Sequence, residues 1–188
     1  DLPVGAFEPH RRMDMVVANT GESTVSVLMG TGDGRFQVER RFEAGATPFM
    51  VTAVDLNGDE AVDLVVSNMK GFAILEGNGN GTFAAPSSTP TGSSPYSIVA
   101  QDFNGDEKLD WAAVNYNSSN VSVGRGIGDG TFMAAVNVAA GTLPRTIASA
   151  DFNADGKPDL AIGNMSSTLR ILLNTTLYPY ELFANGFE

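Results

Sequence analysis

Cysteine is absent from all 188 residues, so no disulfide staples the fold and no redox compartment can be read from thiols. Histidine occurs once, as His10, next to Arg11 and Arg12. No serine sits in a Gly-x-Ser-x-Gly turn. The usual nucleophile and base pairings are therefore missing, and the chain reads as a non-enzyme. No apolar run approaches the ~20 residues of a membrane-spanning helix. Basic residues are also few. Eleven Lys and Arg stand against 22 Asp and Glu, for a formal net charge of −11. That balance excludes nucleic acid as a partner, because phosphate binding needs a basic face. Sustained helical periodicity is lacking throughout. The chain starts at Asp1 without Met, which reads as a processed form or a fragment.

What is present is regular. Hydrophobic residues make up 43% of the chain, and 21 glycines fall at repeated places. Runs of Val, Ile, Thr, Phe and Tyr lie between clusters of Gly, Asn, Asp and Ser, the pattern of short strands joined by tight turns. Three nine-residue acidic loops begin at Asp55, Asp102 and Asp151, 47 and then 49 residues apart. They hold nine of the 22 acidic residues as aspartates at their first, fifth and ninth positions. A proline precedes each loop by seven residues, at Pro48, Pro95 and Pro144. An apolar strand follows each and ends in Asn, at Asn68, Asn115 and Asn164. Asp14 to Asn19 is a fourth copy of that strand, but Ala6, Glu8 and His10 stand at its first, third and fifth loop positions.

A second signature recurs one hairpin later, as Gly30 to Phe36, Gly77 to Phe83 and Gly126 to Phe132. It is not a phosphate loop, which needs a helix after the glycines. Here glycine supplies turn geometry, and Phe is expected to plug the gap between sheets. The fourth copy, Leu172 to Thr176, loses it. Each period holds about four short strands, for example Ser97 to Ala100, Asp110 to Val114, Val121 to Arg125 and Thr131 to Val138. Four-stranded units at a period of roughly 40–50 residues mark β-propeller blades, and a β-solenoid has a shorter period. The expectation is an all-β propeller of about four blades, closed or part of a larger one. The blades run approximately over 1–44, 45–92, 93–141 and 142–176, and the repeat region 1–176 is followed by a tail over 177–188.

The loops point to metal. Oxygen ligands at the first, third and fifth positions share one side of a tight turn. A backbone carbonyl can join at the seventh position and a carboxylate at the ninth. An all-oxygen shell of three formal negative charges suits Ca2+, while the lack of His and Cys in the intact loops disfavours zinc. EF-hand and dockerin loops would need an acid at the twelfth position and a helix after it. Val66, Ala113 and Ile162 stand there instead, inside apolar strands. Three Ca2+ ions would bring the net charge from −11 to −5. Plain Asx turns with solvated carboxylates are the structural alternative.

Together these motifs resemble the FG-GAP/VCBS repeat of integrin α-subunit propellers and of many bacterial secreted proteins, over roughly residues 1–174. The resemblance implies a β-propeller, usually seven-bladed, with calcium sites in hairpin loops. The ligands it implies are Asp55, Asn57, Asp59 and Asp63, with the Ala61 carbonyl. In the second loop they are Asp102, Asn104, Asp106 and Asp110, with the Lys108 carbonyl. In the third they are Asp151, Asn153, Asp155 and Asp159, with the Lys157 carbonyl. It further implies an exported or cell-surface bacterial module that binds an extracellular protein, for adhesion, or a glycan. A non-catalytic appendage of a larger secreted enzyme is a third reading. For a lectin, Phe49 and Tyr96 after the repeated Pro, and Tyr116 after the repeated Asn, are the candidate sugar platforms, although Arg145, Met69 and Met165 interrupt both series. The tail ending Asn185-Gly186-Phe187-Glu188 resembles the endings of some bacterial exported proteins.

Overall fold

Strands form where the apolar runs predict them. In this computed structural model residues 4–8 and 12–176 are described; His10 and the 177–188 tail lie outside the described residues. No helix occurs among them, and so none that is long and apolar enough to cross a membrane. Among the described residues fifteen strands form four antiparallel sheets in simple sequential order.

The first sheet holds β1 (Val4–Gly5), β2 (Asp14–Asn19), β3 (Thr24–Leu28) and β4 (Arg40–Glu43). The second holds β5 (Met50–Val54), β6 (Asp63–Asn68), β7 (Gly71–Leu75) and β8 (Ser87–Pro90). The third holds β9 (Pro95–Gln101), β10 (Asp110–Asn115), β11 (Asn120–Gly124) and β12 (Val136–Ala139). The fourth holds β13 (Pro144–Ala150), β14 (Asp159–Asn164) and β15 (Leu169–Leu172). Among the described residues it has no fourth strand, and the Gly-x-Gly signature is lost after Leu172.

Burial falls from the inner strands outward. Every residue of β6 and β10 is buried, which explains why Leu64-Val65-Val66 and Trp111-Ala112-Ala113 read as unbroken apolar runs rather than alternating ones. The outer strands β4, β8 and β12 are mostly exposed and polar. The chain divides into two compact units, Asp1–Thr89 and Pro90–Glu188. In the first, Val16, Val25 and Val27 pack with Val51, Leu64, Val66 and Leu75 in one core. In the second, Ala112, Val114, Val121 and Val123 pack with Leu160, Ile162 and Leu172.

The expected strand Thr131 to Val138 is shorter than its sequence suggests. Phe132 makes a single bridge to Gly126, and the ladder resumes only at Val136. The cause is an Asx turn: the Asp129 carboxylate accepts the Thr131 N–H at 3.0 Å, between Gly128 and Gly130 at φ 93° and 81°. The repeated Phe is not one plug. Phe83 is 8% exposed and meets Phe7 and Phe42 edge-to-face, Phe132 meets Trp111 the same way, but Phe36 is 45% exposed.

Candidate metal centre

Each acidic loop joins the first two strands of its sheet, so its last aspartate opens a buried strand. Asp63, Asp110 and Asp159 are fully buried. Asp63 accepts the Leu56 N–H at 2.9 Å on one oxygen and the Gly77 N–H at 2.8 Å on the other. Asp110 accepts Phe103 at 3.1 Å and Gly126 at 2.8 Å. Asp159 accepts Phe152 at 3.0 Å and Asn174 at 2.7 Å. The ninth-position aspartate is therefore a latch that ties the loop to the turn leaving the third strand.

The latch explains the first glycine of the second signature. A Cβ on Gly77 would stand 2.2 Å from the Val62 carbonyl oxygen, and one on Gly126 would stand 2.1 Å from that of Leu109. The backbone must come this close for its N–H to reach the aspartate. Asn174 solves the same problem differently in the fourth sheet, where its Nδ2 donates to the Pro158 carbonyl at 3.1 Å.

The remaining loop oxygens face outward and are organised by backbone amides. Asp55 accepts the N–H groups of Gly58 and Glu60 at 2.8 and 2.9 Å. Asn57 Oδ1 accepts Asp59 N–H at 3.0 Å, and Asp59 accepts Ala61 N–H at 2.8 Å. The other loops repeat this. Asp102 accepts Gly105 and Glu107, Asn104 accepts Asp106, and Asp106 accepts Lys108. Asp151 accepts Gly156, Asn153 accepts Asp155, and Asp155 accepts Lys157. The sharp turn needs left-handed backbone at the fourth and sixth positions, held by Gly58 and Glu60, Gly105 and Glu107, and Ala154 and Gly156. The Lys157 ammonium donates to the Thr176 carbonyl at 2.6 Å, so it is tied away from its own loop's oxygens.

Within each unit two loops flank one cavity. In the first unit it measures about 550 Å3, between Ala6, Phe7 and Glu8 of the degenerate loop and Asp59 to Val62 of the acidic one. In the second it measures about 290 Å3, between Asp102 to Gly105 and Gly156 to Pro158.

Electrostatics differ between two buried ninth-position carboxylates and one exposed first-position carboxylate. Burial pushes the Asp110 carboxyl up to about 6, against the pull of the Gly126 and Phe103 N–H bonds and with help from the Asp106 and Asp102 charges. Asp63 is raised for the same reasons. Exposed Asp151 is held low, chiefly by the Gly156 N–H. Among the described residues no three His, Cys, Asp or Glu side chains gather into a single metal-holding cluster. The donor chemistry still fits a hard cation. Each loop offers two outward carboxylates, an amide oxygen and backbone carbonyls, and each carboxylate oxygen that accepts one N–H keeps a second lone pair.

Sequence reasoning missed three things. It took the ninth aspartate for a ligand alone. It gave the strand-ending Asn no role, whereas Asn68 Nδ2 donates to the Ala44 carbonyl and Asn115 Nδ2 donates to Asn120 Oδ1 and Ser122 Oγ. It passed over Arg125, whose Nε lies 3.8 Å from Asp106 Oδ2. The retention of Asp14 in the decayed first copy was the available signal for the latch: it accepts Phe7 at 2.7 Å and Gly30 at 2.8 Å.

The FG-GAP-like repeat matches the chain three times in overlapping register, over residues 11–66, 55–113 and 102–162. No curated protein matches it. Among solved structures, one similar chain is a lectin of Agrocybe aegerita that recognises non-reducing terminal N-acetylglucosamine, with a TM-score of 0.61 and 18% identity. Another is the Tc holotoxin pore of Photorhabdus luminescens, with a TM-score of 0.55 and 17% identity. The alignments cover 85% and 90% of this chain but only 45% and 9% of those chains. At such identity the likeness shows the fold, and with four antiparallel sheets that fold is of the β-propeller type.

Proposed function

This chain belongs to the FG-GAP-like repeat family, and on that premise we propose that it is an exported, calcium-binding, non-catalytic propeller module that binds an extracellular protein. The observation that carries the calcium reading is the threefold recurrence of one loop. Each copy directs Asp, Asn and Asp oxygens outward from a latched turn. Asp55, Asn57, Asp59 and the Ala61 carbonyl would hold the ion in the first loop, with Asp63 behind them, and the corresponding residues would do so in the other two. The ion would relieve repulsion among clustered carboxylates and stiffen the hairpins. With free calcium at a hundredfold the dissociation constant, each site would stabilise the fold by about 2.7 kcal/mol. Thermal unfolding in calcium and in chelator tests this, and equal melting temperatures overturn it.

A glycan is the second reading, favoured by one cluster in the second unit. The Tyr96 and Tyr116 rings stand 5.2 Å apart, and the Arg145 guanidinium lies over Tyr96 at 5.5 Å. Arg145 thus joins the tyrosine series that it interrupts in the sequence. Phe49, the third candidate, belongs to the other unit. Half-buried aromatic faces beside a cation suit sugar stacking. A glycan array probed in calcium decides: binding that is lost in Tyr96→Ala supports the lectin, and no binding to any sugar removes it.

A further inference from the structure

We infer that Arg125 serves loop 102–110 as a built-in cation, so that this loop takes calcium far more weakly than loops 55–63 and 151–159. The inference rests on the calcium reading above. Its basis is a charge exchange at one place in the fold. Arg125 immediately precedes Gly126, whose N–H holds Asp110, and its carbonyl accepts the Met133 N–H at 2.8 Å. Glu76 immediately precedes Gly77, whose N–H holds Asp63, and its carbonyl accepts the Ala84 N–H at 2.8 Å. The two residues are structural equivalents of opposite charge. Leu173 holds the same place before Asn174 in the fourth sheet and carries none.

The loop beside the guanidinium is hydrogen-bonded differently from the other two. In loops 55–63 and 151–159 the fifth-position carboxylate accepts from the third-position amide, Asn57 Nδ2 to Asp59 Oδ2 at 3.0 Å and Asn153 Nδ2 to Asp155 Oδ2 at 3.1 Å. In loop 102–110 Asp106 Oδ2 faces Arg125 Nε at 3.8 Å instead, and Asn104 Nδ2 is buried without a hydrogen-bond partner. This ion pair is sheltered, with side chains 21% and 16% exposed, so water screens it less than a surface pair. A divalent cation at the loop would compete for the Asp106 oxygen and meet the guanidinium charge at close range. At the effective dielectric of a half-buried site, that repulsion weakens binding by about tenfold or more. Loop 55–63 has an exposed carboxylate at the same place, which attracts the ion.

Calorimetric titration of the whole chain with calcium tests this. The wild type should bind two ions tightly and a third at least tenfold more weakly. Arg125→Leu should bring the third site up to the other two, and Arg125→Gln is to be read in the same way should the Leu variant fail to fold. The reciprocal Glu76→Arg, at an exposed position, should lower the tight count from two to one. Three equivalent sites in the wild type, or a weak third site unmoved by either Arg125 variant, overturns the inference and leaves the calcium reading standing. No calcium uptake by any variant overturns both.

Discussion

The first and second sheets carry the same hairpin in two states of completeness. In the second, an acidic loop of outward oxygens sits in front of the inward Asp63. In the first, Ala6, Glu8 and His10 have replaced the loop's first, third and fifth positions, yet Asp14 remains fully buried on the Phe7 and Gly30 N–H groups. The inner aspartate thus outlives its loop. A carboxylate is kept because two converging backbone donors need an acceptor with two oxygens, and a buried N–H without a partner costs about 1–3 kcal/mol. The outer oxygens answer to solvent and to a cation, so a sheet can lose them and still close its hairpin. One motif therefore contains two devices, a latch required for the fold and a site that is optional to it.

The largest effects should fall on the latch. Asp63→Asn and Asp110→Asn each place an NH2 group opposite a backbone donor, and each should cost about 3–4 kcal/mol in urea unfolding, calcium present or not. A cost seen only with calcium would make these residues ligands first and latches second. Gly77→Ala comes next. Its Cβ would fall 2.2 Å from a backbone oxygen, so the turn must move off Asp63, at a cost of about 2 kcal/mol by the same measurement.

A pH series sharpens the contrast between inner and outer carboxylates. Folding raises the Asp110 carboxyl from its ordinary 3.8 to about 6. The part of its contribution to stability that is linked to this shift is therefore full below about 3.8 and is lost as pH rises through about 6, while the two N–H bonds remain. In chelator, the stability gap between wild type and Asp110→Asn should narrow over that window, and calcium should flatten the change. The smallest effect belongs to the loop backbone. Glu60 holds φ 68° where glycine fits without strain, and Glu60→Gly should stabilise the chelated protein by about 0.5–1 kcal/mol.

The all-β class, the repeat period and the inner strands were legible because each follows from local pattern. Turn residues bound every apolar run, and doubly covered strands such as Asp110–Asn115 read as continuous hydrophobic stretches. The outer strands were harder. β12 begins at Val136 rather than Thr131 because the Asp129 side chain competes with the ladder for the Thr131 N–H, a contest that strand propensity does not register. The loop residues were legible as a set, but not the direction each one faces. Asp59 and Asp63 look alike in a line of text and differ only in which partners the fold brings to them. Arg125 was invisible as a neighbour of Asp106 because the two lie 19 residues apart and meet only through strand pairing.

The separation of latch from metal site is tested most directly by thermal unfolding of Asp14→Asn and Asp55→Asn, each in calcium and in chelator. Asp14→Asn should lower the melting temperature equally under both conditions, because its sheet has no acidic loop. Asp55→Asn should lower it in calcium and leave it nearly unchanged in chelator, because water reaches the Gly58 and Glu60 N–H groups at this partly exposed turn. An Asp14→Asn variant as stable as wild type, or an Asp55→Asn variant equally damaged without calcium, would contradict the account.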